Sequence, residues 1–249
     1  MQEVWSDAWF GVRLLLLTLV TVALGAWYGT GLRLFPVWAM VRAGVQLSVV
    51  ALLLRGVLAV PWTAAAFVLL MLSTASITSM GRTHALFHGR RAAVIGVVAG
   101  AATSLAAVFV LQLADLEARY VVATGGIVIG NAMSAATLSG RNFLRSARAR
   151  SSEVEAWLSL GATPAVAHAA IGREAVRESL IPNLDQAKST GLVTLPGAFV
   201  GALFGGASPA DAAKFQLVVL AGIALAMTVT AIVVTTIAGR SPYVVDTHE

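Results

Sequence analysis

Seven stretches of the chain are apolar for about the length of a helix that crosses a bilayer. They run roughly over 8–28, 36–54, 61–80, 92–113, 120–139, 184–205 and 213–238. A helical span takes ~20 residues, so seven would use about 140 and leave roughly 110 for connections. The runs are continuous and lack the period-2 alternation of a membrane barrel, so the expected fold is an all-α, polytopic helical membrane protein. Composition agrees. Charged residues make up 12% of the chain, against about 25% in soluble domains. Hydrophobic residues make up 58%, more than one soluble core can hide. A soluble enzyme, a disordered chain and a nucleic-acid-binding chain are thereby excluded. The pI of 10.4 reads as Lys and Arg sorted to one side of a membrane. There is no cysteine, so neither a disulfide framework nor a thiolate metal site arises.

The loops give one consistent orientation. Arg82, Arg90 and Arg91 follow the third run; Arg141, Arg145, Arg148 and Arg150 follow the fifth. Both segments are expected in the cytoplasm. The intervening Asp115-Leu116-Glu117-Ala118-Arg119 is net acidic and is expected outside, as is the N-terminus with Glu3 and Asp7. Those N-terminal acids replace the basic start of a cleavable signal, so the first run is read as a permanent span. The turn with Arg33 falls inside, the turn with Asp211 and Lys214 outside, and the C-terminus inside. The whole chain, 1–249, is read as one transmembrane domain of the cell (plasma or inner) membrane.

Residues 140–183 form the one long connection, expected in the cytoplasm between helices 5 and 6. Ser152-Glu153-Val154-Glu155 has capping-box spacing, with Ser152 as N-cap. Val154, Trp157 and Leu158 form an i, i+3, i+4 apolar stripe. Gly161 ends that short helix, and Thr163 with Pro164 starts another over 165–180, which Pro182 stops. Three readings of the first helix stand open: a docking element for a cytosolic partner, an interfacial helix lying on lipid, and packing against the chain itself.

No Gly-x-x-x-x-Gly-Lys-Ser/Thr string occurs, so the chain has no P-loop and is not itself an ATPase. No catalytic constellation is evident. His84 and His88 are spaced for one helical face, but Arg82, Arg90 and Arg91 surround them and argue for a solvated basic segment over a metal site.

Polar groups within spans mark either a path or an interhelical bond. The candidates for a translocation path are Arg42 and Gln46 in the second run, Asn131 and Met133 in the fifth, and Asp185 and Lys188 at the start of the sixth. Pro196 and Gly197 are expected to kink the sixth span at mid-depth. Ser73, Ser76 and Ser79 form a weaker stripe, with Thr74 and Thr78 beside it. Glycines at four-residue spacing, Gly96/Gly100, Gly126/Gly130 and Gly197/Gly201/Gly205, are expected to bring helices close.

One string carries a family resemblance. Glu155-Ala156-Trp157-Leu158-Ser159-Leu160-Gly161-Ala162-Thr163-Pro164 resembles the cytoplasmic loop of the FetB-type permeases. These are membrane subunits of bacterial iron-export ABC transporters, related to the plant aluminium-tolerance permeases. The likeness continues through Arg173, Arg177, Leu180-Ile181-Pro182, Asp185-Gln186-Ala187-Lys188, Gly191–Ala198 and Ser208-Pro209, and includes Gly130-Asn131-Ala132-Met133. The loop also looks like the EAA loop of ABC importers. The resemblance implies that Glu155, Trp157, Leu158, Leu160, Gly161, Ala162, Thr163 and Pro164 dock a separate ATPase subunit. That partner would carry ATP and Mg2+, with no cofactor in this chain. It further implies two permeases with two ATPases in the bilayer, and export of iron or a metal-related solute. The plant relatives, linked to nucleotide sugars, keep an organic solute as the alternative. An ATPase-independent secondary transporter is disfavoured because these runs hold few ionisable groups. No metal ligand set is identified.

Overall fold

The computed structural model describes residues 2–60 and 62–242; the side chains of residues 2–8, 55 and 57–59 also lie outside the description. The expectations for the side chains of Glu3 and Asp7, and for the tail 243–249, therefore fall outside it. Within these bounds the chain is all-helical, with a single isolated β-bridge between Thr190 and Thr194.

Ten helices follow in chain order. They are α1 (Gln2–Tyr28), α2 (Phe35–Ala59), α3 (Trp62–Arg82), α4 (Gly89–Val110), α5 (Ala118–Ala149), α6 (Ser151–Ser159), α7 (Pro164–Ala167), α8 (Ala169–Ser189), α9 (Gly197–Phe204) and α10 (Pro209–Ala238). The chain divides into two compact units, 1–60 and 61–249. The first is the antiparallel pair α1 and α2, joined through a turn that Gly29 and Gly31 enter with positive φ. The second holds the remaining helices.

Among the described residues six helices are long and apolar enough to cross a membrane: Trp9–Tyr28, Phe35–Leu54, Trp62–Arg82, Gly89–Val110, Ala118–Ala149 and Pro209–Ala238. These match six of the seven expected runs. The seventh, 184–205, is not one helix. It is the upper end of α8, an irregular segment over 190–196, and the eight-residue α9.

α5 organises the second unit and contacts α3, α4, α6, α8 and α10. Its 32 residues give a rod of about 48 Å, longer than a ~30 Å hydrocarbon core. Arg141, Arg145 and Arg148 ride on its last turns, so the start of the expected 140–183 loop is helix. The tightest crossing is α4 on α10. A Cβ built on Gly100 would lie 2.1 Å from Thr230 Oγ1 and 2.5 Å from the Ala226 carbonyl; one on Gly96 would lie 2.9 Å from Val234 Cγ2. Only glycine permits backbones this close. Two side chains then bond across to backbone carbonyls: Thr230 Oγ1 donates to Gly96 (3.0 Å) and Ser104 Oγ to Gly222 (2.7 Å).

The other glycine runs behave differently. Gly126 meets only the mobile end of Met71 and Gly130 meets nothing. Gly197 and Gly201 face open space, and Gly205 meets only its own turn. The expected close packing at Gly197/Gly201/Gly205 is therefore absent within the chain.

Candidate functional site

The α6 segment comes first along the chain. Arg150 closes α5 and, with a non-extended backbone, takes the N-cap position of α6. Ser152 thus lies inside the helix and makes no capping bond, so the expected capping box does not form. The C-terminal expectation holds. Gly161 adopts φ +85, and its amide reaches the Leu158 carbonyl at 3.0 Å while that of Ala162 reaches Trp157 at 3.0 Å. This paired bonding is a Schellman motif. Thr163 is extended, Pro164 opens α7, and Thr163 makes no side-chain cap.

The apolar stripe splits in two. Val154 is 1% exposed and joins the main core, against which Leu158 also packs. Trp157 (47%) and Leu160 (82%) point away from it, as does Glu155. The helix is thus held by one face while an aromatic and an aliphatic side chain remain free on the other. Arg150 also pairs with Glu174 of α8, which ties the start of α6 to the next long helix. Beneath this junction His168 is almost fully buried, its ring stacked on Phe143. A cavity of about 410 Å³ lies there, between α7–α8 and the end of α10, with Arg173, Val176, Ile232 and Thr235 among its walls.

α8 departs most from expectation. Pro182 does not stop it; the helix runs through Pro182 to Ser189. Asn183 and Gln186 are interior positions of the helix. The upper boundary of the 140–183 loop accordingly falls within α8. The helix lies alongside α5 and α10 rather than below them. Gly172 stands next to Thr235, and Leu180 packs on the cluster of Ala135, Val219, Ile223 and Met227. Further on, the Phe199 amide of α9 donates to Gln216 Oε1 at 3.1 Å. Asp185 and Lys188 lie between those two levels, well within the length of α10 and not at its end. They pair with each other at 3.4 Å and remain exposed.

The break in the sixth span is wider than a kink. Gly191 takes φ +95 and its amide bonds the Thr194 carbonyl at 2.8 Å. Pro196 is the extended N-cap of α9 rather than a mid-helix residue, with Gly197 in the first helical position. Gln216, 5% exposed, satisfies the third amide of that new helix. Sequence reading missed Gln216, and nothing short of the α9–α10 pairing signals it.

The remaining candidates are dispersed. Asn131 is half-buried, and its Nδ2 donates to the Ile127 carbonyl of its own helix at 2.8 Å. Met133 packs on the core. Arg42 and Gln46 are exposed on α2 in the first unit. Ser73, Thr74 and Thr78 bond their own backbone, whereas Ser76 and Ser79 are buried with no hydrogen-bond partner among the described residues. His84 and His88 lie in the turn between α3 and α4, so they share no helical face. Among the described residues no group of His, Asp and Glu is arranged to hold a metal.

A bundle of apolar helices, six of them of membrane-spanning length, with a broken sixth segment and an amphipathic helix turned outward defines a multi-pass protein of the cell (plasma or inner) membrane. The chain belongs to the family described as "Uncharacterised protein family (UPF0014)", which matches residues 11–243. It is 32% identical over 219 residues, 87% of this chain and 76% of the relative, to "UPF0014 membrane protein STAR2" of Oryza sativa subsp. japonica. It is 31% identical over 199 residues (79% and 72%) to "Protein ALUMINUM SENSITIVE 3" of Arabidopsis thaliana. It is also 31% identical over 184 residues (73% and 71%) to "Probable iron export permease protein FetB" of Escherichia coli (strain K12). No solved structure matches.

Proposed function

We propose that this permease is the membrane subunit of an ATP-driven ABC exporter of iron or a metal-related solute, working as two permeases with two ATPase subunits. The observation that carries the reading is α6. It is clamped by Val154 and Leu158 on one side and by the Schellman turn at Gly161, and it holds Trp157 and Leu160 outward. Buried aromatic and aliphatic anchors of this kind dominate helix-in-groove recognition. Glu155, Ala162, Thr163 and Pro164 complete the docking edge. ATP and Mg2+ belong to the partner. The iron assignment rests on the likeness to the Escherichia coli relative, whose name states iron export.

The solute path follows the polar side of the broken sixth span. Asp185, Lys188, Pro196 and Gly197 supply it from α8 and α9, and Asn131 and Met133 from α5. Replacing Trp157 and Leu160 together by Ala should weaken capture of the ATPase several hundred-fold, since two such anchors at about 2 kcal/mol each come to about 4 kcal/mol. The protein should stay folded in the membrane. Wild-type affinity in the double variant would show that α6 lies on lipid instead. ATPase stimulation in the reconstituted complex by ferrous iron, and its absence with nucleotide sugars, checks the solute class.

A further inference from the structure

The face of α8 turned away from α5 and α10 is charged along the helix. Ile171, Ala175, Ser179 and Asn183 form its buried side. On the opposite side two stripes run next to each other. One is basic and apolar: Arg173, Arg177, Ile181, Leu184 and Lys188. The other is acidic: Glu174, Glu178 and Asp185. Three positive and three negative groups therefore lie on this side; Glu174 is paired with Arg150, Asp185 with Lys188, and Arg173 edges the cavity beside α10, so that Arg177 and Glu178 are the exposed charges with no ion pair among the described residues. Leu180 packs on Val219, Ile223 and Met227, within the apolar length of α10, so the upper half of this face runs beside that helix. Ionisable groups beside a span are stable against a protein surface that pairs them and not against lipid.

We infer that the charged face of α8 packs against α8 of a second copy of this chain, forming the central seam of the permease dimer. The inference rests on the two-permease reading above and specifies which surface makes it. Two copies inserted in one bilayer with the same orientation are related by a twofold axis along the membrane normal. Their α8 helices then run parallel, and the left flank of one meets the right flank of the other at equal depth, as flanking positions do in a parallel coiled coil. A basic stripe beside an acidic stripe is self-complementary under that operation. Arg177 faces the acidic flank of the partner, and Lys188 faces the partner's Asp185. Ile181, between the flanks, falls close to the axis. Asp185 and Lys188 of both copies then meet in one place, so a solute site there is complete only in the dimer.

The chain contains no cysteine, so single thiols report directly. Ile181→Cys is 39% exposed in the wild-type residue, and Leu217 on α10, 66% exposed, serves as the control. The probe is copper-phenanthroline oxidation of membranes holding the permease with its ATPase. Ile181→Cys should run mostly as a covalent dimer and Leu217→Cys as monomer. Adding Arg177→Glu to Ile181→Cys should lower cross-linking several-fold, and adding Glu178→Arg to that should restore it. No dimer at Ile181→Cys, in a complex that holds two permeases and retains substrate-stimulated ATPase activity, overturns the seam and leaves the two-permease reading standing. A functional complex with a single permease copy overturns both. Cross-linking that ignores the charge changes overturns the pairing of the stripes.

Discussion

Thr230 both holds and limits the crossing of α4 and α10. Its hydroxyl donates to Gly96, and its side chain occupies the space a Cβ on Gly100 would need. Gly100→Ala must therefore shift two backbones, and should destabilise the fold by about 1–3 kcal/mol, the usual range for overpacking. Gly201→Ala meets nothing and should leave the monomer's fold intact. Thermal unfolding of the two variants in detergent, followed by size exclusion, checks the contrast. At the other end of α10, Ser208 Oγ accepts the Asp211 amide at 3.1 Å and donates to the Asp211 carboxylate at 2.7 Å. Ser208→Ala should cost about 1 kcal/mol, read by the same assay. At this scale the sequence made the four-residue glycine spacings visible but not their partners. Gly96/Gly100 and Gly197/Gly201 look alike along the chain, and only the distant Thr230 and Val234 distinguish them. Trp157 and Val154 likewise share one apolar stripe, and which of them turns homeward depends on where α5 delivers α6.

The elements that hydropathy located best are those whose polarity changes at their ends, and the sixth span lacks that boundary. Leu192, Val193 and Leu195 are all well exposed, yet they carry apolar character across a segment that is not helix, so 184–205 reads as one run. Four charges in the first half of α8, Arg173, Glu174, Arg177 and Glu178, push it below any hydropathy threshold, so it reads as a helix of the cytoplasmic connection and not as part of a span. The local signal for the true break was Thr190-Gly191 followed five residues later by Pro196, a turn and an N-cap rather than a kink. Pro182 misleads in the opposite direction. A proline can sit inside a membrane-level helix when the freed carbonyl finds another partner, and its exposed position on α8 harms no packing. Gln216 fixes the start of the short α9, a helix too brief to be stable alone. Gln216→Leu leaves the Phe199 amide without its acceptor, a loss of about 1–3 kcal/mol. It should reduce transport while the complex still assembles, and Gln216→Glu, which keeps an acceptor, should recover part of the activity. Equal transport in the wild type and Gln216→Leu would separate α9 from function.

Across the whole molecule, membrane residence and the position and order of six of the seven expected spans were legible because they depend on sums over some twenty residues, which single contacts do not alter. The candidate path was less legible, because it depends on how α8 is placed against α10. The orientation is a further prediction. A thiol introduced at Ser159 on α6 should react with an impermeant maleimide only from the cytoplasmic side, together with one at Arg90. A thiol at Asp115 should react only from outside. Labelling of Asp115 and Ser159 from the same side would refute the alternating topology. The uninterrupted length of α5 carries its own mechanical implication. α6 is suspended from the tip of a stiff strut of about 48 Å, and a tilt of about 5° at one end sweeps the other through roughly 4 Å. A displacement imposed at Trp157 is thereby carried along one rigid body to the far end of α5, where Tyr120 meets Phe215, without any residue in between changing its backbone conformation.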